Sequence, residues 1–227
     1  MTNAMTNTMT HTTTPMNTKK LWLVRHAQPL IKKGICYGQL DVAVDTKANL
    51  DAARDLAIEL KKSEERALLV YFSGLQRTEQ FVNALQAHVP NLHCVIDERL
   101  KEMDFGLWEG QAWSDIPKDE IDRWTRDFGE YRFGGVESCN EVLQRVAAAY
   151  QDCLRMLQAS TVLQRSEQAQ QPTDIVWVTH AGVIRALTYY LQNRKCKIEQ
   201  AAQWPLETPD FGAWICLDLP PQYPPLN

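Results

Sequence analysis

Five polar residues of this chain stand where apolar runs stop. Leu21-Trp22-Leu23-Val24 ends at Arg25 and His26. Ala67 to Phe72 ends at Ser73, with Arg77 four residues further on. Ile175-Val176-Trp177-Val178-Thr179, preceded by Asp174, ends at His180. Two guanidinium groups hold their charge at any ordinary pH and fit the oxygens of a phosphoryl group in a planar fork. Two imidazoles can attack, donate or hold a proton near neutrality. Together they are equipment for binding a phosphate ester and reacting with it. A divalent metal held by His26, His180 and a carboxylate is the competing use. Arg25 and Arg77 would repel such a cation, and no CxxC or HxxxH spacing is present.

The elements that must position these residues can be read from periodicity. Short continuous apolar runs bounded by polar residues suit strands buried on both faces. Leu92 to Ile96 and Ala213 to Leu217 are two weaker candidates. Helical periods lie between the runs: Leu50, Ala53, Ala57 and Leu60; Thr78, Phe81, Val82 and Leu85; Leu143, Val146, Tyr150, Leu154 and Leu157; and residues 183–192. Ser73 to Gln76 and Ser138 to Glu141 both have capping-box spacing. Strands alternating with helices predict an α/β fold: a three-layer sandwich with a mostly parallel central sheet. Ligands of such sheets bind beyond the carboxyl ends of the strands, where following helices aim free N–H groups at an anion.

Two segments depart from that rhythm. Residues 103–137 carry Trp108, Trp113, Trp124, Phe128, Tyr131 and Phe133, and read as a helical insertion over the active site. These aromatics either form a small core of their own, the favoured reading, or offer a face on which a leaving group could stack. Residues 159–173 are rich in Gln, Ser and Thr and read as a surface loop.

The first polar block carries a family resemblance, and the others extend it. Leu23-Val24-Arg25-His26-Ala27-Gln28-Pro29 resembles the Arg-His-Gly signature of the histidine phosphatase, or phosphoglycerate mutase-like, superfamily. Ser73-Gly74-Leu75-Gln76-Arg77 resembles its Ser-Pro-Leu-x-Arg block. Leu100 to Gly110 resembles its acid-bearing block, Glu137-Ser138 its Gly-Glu-Ser element, and Val178 to Arg185 its second-histidine block. The wording Asp104-Phe105-Gly106-Leu107-Trp108-Glu109-Gly110 looks closest to the α-ribazole phosphatase-like branch, which acts in cobalamin assembly. The resemblance implies a metal-independent phosphomonoester hydrolase with no cofactor. His26 would attack phosphorus and form a phosphohistidine, with its other ring nitrogen donating to a backbone carbonyl. Arg25, Arg77 and His180 would bind the phosphoryl oxygens. Glu102 would protonate the leaving oxygen and then activate water. By itself Glu109 is a rival acid, and Asp104 and Arg185 read as structural. A phosphoglycerate mutase-type phosphotransferase and a non-catalytic phosphate-binding protein are the alternatives.

Several positions depart from the family pattern. Ala27 and Ala181 stand where Gly is usual, and Gly74 where Pro is usual. Pro29 and Lys32 replace residues that commonly help bind phosphate, so Lys32 is a candidate substitute in the anion site.

Bulk properties bound the remainder. The chain has 227 residues, 44% hydrophobic and 23% charged, ordinary for a globular protein that buries a sizeable core. A net charge of −4 supplies no basic field for nucleic acid or membrane, so any anion site must be local. The six cysteines are scattered, as reduced cytoplasmic cysteines are. Met1 to Thr18 read as a disordered tail and residues 19–227 as the catalytic domain. The expected partner is a small phosphate ester, in the cytoplasm, and a homodimer is allowed.

Overall fold

The computed structural model describes residues 18–62, 67–90, 92–163 and 173–220. Five strands form one sheet: β1 (Lys20–Arg25), β2 (Ala67–Phe72), β3 (His93–Ile96), β4 (Thr173–Thr179) and β5 (Trp214–Asp218). Their order is β3-β2-β4-β1-β5. β1, β2, β3 and β4 run parallel, and β5 closes one edge antiparallel to β1. All five strands coincide with the apolar runs to within a few residues.

The continuous apolar runs follow from burial on both faces. Successive side chains alternate across a strand. Leu21 and Leu23 of β1 therefore join Ile175 and Trp177 of β4 in one core, while Trp22 and Val24 join Val176 and Val178 in the other. The first core is covered by α4 (Cys139–Leu163) and α5 (Ala181–Asn193), and the second by α1 (Thr46–Lys61) and α2 (Gln76–Gln86). The short α3 (Lys118–Arg126) lies in the insertion. The result is the expected three-layer α/β sandwich. Ile175, Val176 and Val178 of the central strand are fully buried, each contributing roughly 1.5–3 kcal/mol of apolar burial.

Local details confirm some signals and correct others. Ser138 and Glu141 form a reciprocal capping box: the Glu141 amide donates to Ser138 Oγ at 3.3 Å, and the Ser138 amide to Glu141 Oε2 at 2.8 Å. The second box does not form. Leu75 is the N-cap of α2, and the Gln76 amide donates instead to Asp41 Oδ1 at 2.6 Å. On α1 the buried register is Asn49, Ala53, Leu56, Ala57 and Leu60. Leu50 falls one residue off that face and is 49% exposed, while the Asn49 side chain donates to the Gln80 carbonyl and ties α1 to α2. The insertion is less helical than expected: besides α3 it holds 3-10 turns at Gly106–Trp108 and Trp113–Asp115. α4 continues to Leu163, past the start of the expected loop at 159. The rest of that loop up to 172, and the tail apart from Thr18, lie outside the described residues.

Strand order does the main positioning. β4 lies between β2 and β1, and neighbouring strands are about 4.8 Å apart. Ser73, His180 and His26 each follow one of these strands, so the three stand side by side at the carboxyl end of the sheet.

Candidate active site

His26 continues the β1 ladder, its amide donating to the Thr179 carbonyl at 3.0 Å. Its ring is buried, and Nδ1 lies 2.7 Å from the carbonyl oxygen of Ala27. A carbonyl only accepts, so Nδ1 carries the proton and Nε2 keeps its lone pair. Burial, the field of Arg77 and that of Arg25 push the His26 pKa down to about 3, against the opposing effect of the Ala27 bond. The ring is thus neutral at any ordinary pH, as a nucleophile must be. Ala27 does not disturb this arrangement. The only non-glycine residue with positive φ among the described residues is Arg194, so position 27 makes no demand that only Gly could meet.

Arg77 sits in the first turn of α2 and is fully buried. Its guanidinium donates to the carbonyls of Leu40 at 2.7 Å and Gly38 at 2.5 Å, and through Nε to His180 Nδ1 at 3.2 Å. Three of its five N–H groups are thereby engaged, and the others remain for a ligand. Because Arg77 donates to Nδ1, the proton of neutral His180 is on Nε2. That N–H points to Ser73 Oγ at 2.9 Å. Ser73 is 2.9 Å from Thr78 Oγ1, and Thr78 donates to the Leu75 carbonyl. Proton direction is therefore determined along the chain Arg77, His180, Ser73, Thr78. Burial first, then the charge of Arg77, hold the His180 pKa well below the usual value. His180 packs 5.1 Å from His26, ring centre to ring centre, but both its nitrogens are engaged within the protein.

Arg25 lies half-buried beside them. One nitrogen donates to the Pro209 carbonyl at 3.1 Å, and its carbon centre is 3.9 Å from the centre of the Phe211 ring. Its buried Nε–H has no hydrogen-bond partner. Tyr37 stands between the arginines: its ring is 5.3 Å from the Arg77 guanidinium, and burial raises its hydroxyl pKa, with the charge of Glu102 adding to the effect.

Glu102 reaches the start of α5. Its Oε2 accepts from the Gly182 amide at 3.2 Å and its Oε1 from its own neighbour, the Met103 amide, at 3.0 Å. A Cβ on residue 182 would lie 2.1 Å from Glu102 Oε1. Gly182→Ala is therefore expected to displace the carboxylate, and if Glu102 serves as general acid for an alkyl phosphate, kcat for that ester should fall by roughly 10²-fold or more. Steady-state kinetics with unchanged circular dichroism check this. Gly74, by contrast, matters through backbone angle: its φ of +81° is closed to proline, the residue the family pattern favours there.

Lys32 stands on the surface. Its ammonium makes no hydrogen bond or ion pair among the described residues, and its carbonyl accepts from the Ile35 amide. Glu109, the rival acid, is tied to the amides of Gln39 at 2.7 Å and Phe105 at 3.1 Å, a backbone clamp. Asp104 likewise caps the Gly106 amide. The insertion aromatics mostly build their own core: Phe133 is fully buried, stacked on Trp124 at 4.5 Å and flanked by Trp108 and Trp113. Trp124 and Phe128 also line a cavity beside Glu102.

Other residues at the site gave no readable signal. Arg145 donates to the carbonyls of Arg99, Lys101 and Glu102 and pairs with Glu137 at 2.6 Å, pinning the loop that carries Glu102. Tyr37, Pro209 and Phe211 come from irregular segments whose path periodicity cannot reveal.

The two buried neutral histidines make stability depend on pH. In the unfolded chain their pKa is about 6.5; in the folded protein both lie below that. Above pH 6.5 neither state binds these protons, and the two histidines no longer change stability. Below it the unfolded state binds protons that the folded state refuses. Stability is thus lost on acidification, by up to about 1.4 kcal/mol per pH unit for each histidine. For His26 the loss continues until pH about 3. Thermal melts from pH 7 to pH 4 should show this decline, and His26→Asn should make it shallower. An unchanged slope in that variant would mean that His26 is protonated when folded.

Residues 21–211 match the family model described as histidine phosphatase superfamily (branch 1). Two proteins of Hydrogenobacter thermophilus named as phosphoserine phosphatases are similar. One is 34% identical over 139 residues, covering 59% of this chain and 66% of its own length. The other is 33% identical over 132 residues, covering 56% and 60%. The match thus spans about two thirds or less of the length of these curated relatives. Among solved structures, one described as mycobacterial hydrolase 2 has a TM-score of 0.67 at 23% identity, covering 90% of this chain and 84% of that one, a likeness of fold. The extent of the family match, over nearly the whole described chain, places this protein in the histidine phosphatase superfamily.

Proposed function

We propose that this protein is a phosphomonoester hydrolase that passes through a phosphohistidine at His26. The observation that carries the reading is the His26 ring: neutral, with Nδ1–H bound to the Ala27 carbonyl and Nε2 free, beside two arginines with unused N–H groups. The Nε2 lone pair attacks phosphorus and the ester oxygen leaves with a proton from Glu102. Water, deprotonated by Glu102, then attacks phosphorus, forming a P–O bond as the P–N bond breaks, and phosphate and neutral His26 are released. Arg25 and Arg77 hold the charge of the transferring group. His180 orients Arg77; a direct contact of its Nε2–H with the phosphoryl group needs that proton to leave Ser73. Lys32 is a peripheral contact in this scheme at most, reached only if its exposed chain folds inward.

The names of the two Hydrogenobacter relatives favour a small phosphorylated metabolite such as phosphoserine. α-Ribazole phosphate is the narrower alternative. Its support is the wording of residues 104–110, together with the aromatic side chains Trp124 and Phe128 beside Glu102. The test is a rapid acid-free quench with a ³²P-labelled ester in the presence of chelator. An acid-labile, base-stable label on His26 is expected, at a rate that chelation leaves unchanged. Absence of label during turnover overturns the reading, and transfer of label to added phosphoglycerate rather than water points to the mutase-type alternative.

A further inference from the structure

Glu102 stands on an irregular segment. Residues 101–105 run between 3-10 turns at Glu98–Leu100 and Gly106–Trp108 and belong to no helix or strand. A carboxyl that must meet a leaving oxygen needs a finer placement than such a segment gives by itself, so its neighbours have to supply it.

Helix α4 supplies it. Arg145 Nη1 donates to the carbonyls of Arg99 and Lys101, both at 2.7 Å, and Nη2 to that of Glu102 at 3.1 Å. The other edge of the guanidinium forms a fork with Glu137: Nε to Oε1 at 2.6 Å and Nη2 to Oε2 at 3.1 Å. Glu137 Oε2 also accepts from the Asp104 amide at 3.0 Å. Arg145 thus uses all five of its N–H groups within the protein, whereas Arg25 and Arg77 keep some for a ligand. The pair is mostly buried, with side chains 17% and 15% exposed, so water competes little for these bonds. Two more bonds complete the hold: Thr179 Oγ1 donates to the Leu100 carbonyl at 2.8 Å, and Gln39 Nε2 to the Glu102 carbonyl at 3.0 Å. The chain is gripped on both sides of Glu102, while the carboxylate itself bonds to the amides of Met103 and Gly182.

We propose that Arg145, forked with Glu137, is a positioning residue: it sets where the Glu102 carboxyl meets the leaving oxygen and so governs proton transfer without touching the substrate. The proton-transfer half rests on the hydrolase reading, but the placement of Glu102 does not. In that reading the proton passes from Glu102 to the ester oxygen as the P–O bond breaks, and Arg145 keeps its own protons throughout.

Arg145→Lys in the full-length protein tests this. Lysine keeps a cation beside Glu137, and with it the fold, but an ammonium on a flexible stem cannot span three carbonyls and a carboxylate as a planar fork does. For O-phosphoserine, kcat should fall by about ten- to a hundredfold, the scale of a displaced reacting group. For p-nitrophenyl phosphate, whose leaving group needs little protonation, it should fall by less than about threefold. In Glu102→Gln protein, which has no proton to deliver, adding Arg145→Lys should slow O-phosphoserine turnover by less than about threefold further. Equal losses for the two esters, or losses that multiply in the double variant, make Arg145 a merely structural residue and overturn the proposal. Placement is also read without turnover, from the Gly182 amide resonance of ¹⁵N-labelled protein, because that amide donates to Glu102 Oε2. Arg145→Lys should move this signal in the direction that Glu102→Ala moves it, and an unmoved signal overturns the proposal as well. If wild type hydrolyses neither ester and the signal still moves, the hydrolase reading falls while the hold of Arg145 on Glu102 stands.

Discussion

His26→Ala is expected to reduce kcat by on the order of 10⁴-fold or more, the scale seen when an enzyme loses its nucleophile. The loss is large because no neighbour can take over. His180 has its Nδ1 occupied by Arg77 and its Nε2 facing Ser73, so neither lone pair nor geometry is available for attack. Substrate binding should change much less, since Arg25 and Arg77 are held by backbone carbonyls that do not involve His26. The fold should survive: His26 contributes one bond to its own neighbour, the Ala27 carbonyl. Loss of turnover with retained phosphate affinity and a cooperative melt is the expected pattern. Activity within tenfold of wild type would sink the phosphohistidine mechanism.

Glu102→Gln is expected to separate substrates by the basicity of their leaving groups. An alkoxide needs a proton as the P–O bond breaks, and general acid catalysis of this kind contributes roughly 10²–10⁴-fold. A nitrophenolate leaves readily without one, so an aryl phosphate should lose only about tenfold or less. Glutamine keeps the size of the side chain and can still accept from the Gly182 amide, so position is preserved while the transferable proton is lost. The comparison of kcat for an alkyl and an aryl phosphate therefore reads proton transfer rather than misfolding. Equal losses for both would remove Glu102 from that role and return attention to Glu109, even though the amides of Gln39 and Phe105 clamp it.

The sequence by itself determined the layers and pointed to the residues here proposed to react. Alternation of apolar runs with helical periods depends only on nearest neighbours in the chain, so the five strands and the core faces of α2 and α4 could be read directly. Arg25, His26, Ser73, Arg77 and His180 were legible because each follows the end of a strand, and Glu102 through the block resemblance. Only the tertiary structure decided how these residues are arranged. That β4 lies between β2 and β1 depends on long-range pairing, and it brings Ser73, His180 and His26 together. The proton positions on the two imidazoles depend on the Ala27 carbonyl and on Arg77, groups whose direction no periodicity encodes. Irregular segments have no period to read, so Tyr37, Trp204, Pro209 and Phe211 could not be foreseen as walls of the site. Arg145 and Arg185 lie on helices that could be foreseen, but an arginine at such a position is usually a surface residue. What distinguishes them is the company each keeps: three backbone carbonyls and Glu137 around Arg145, and the Leu206 carbonyl and a largely apolar cavity shared with Glu102 beside Arg185.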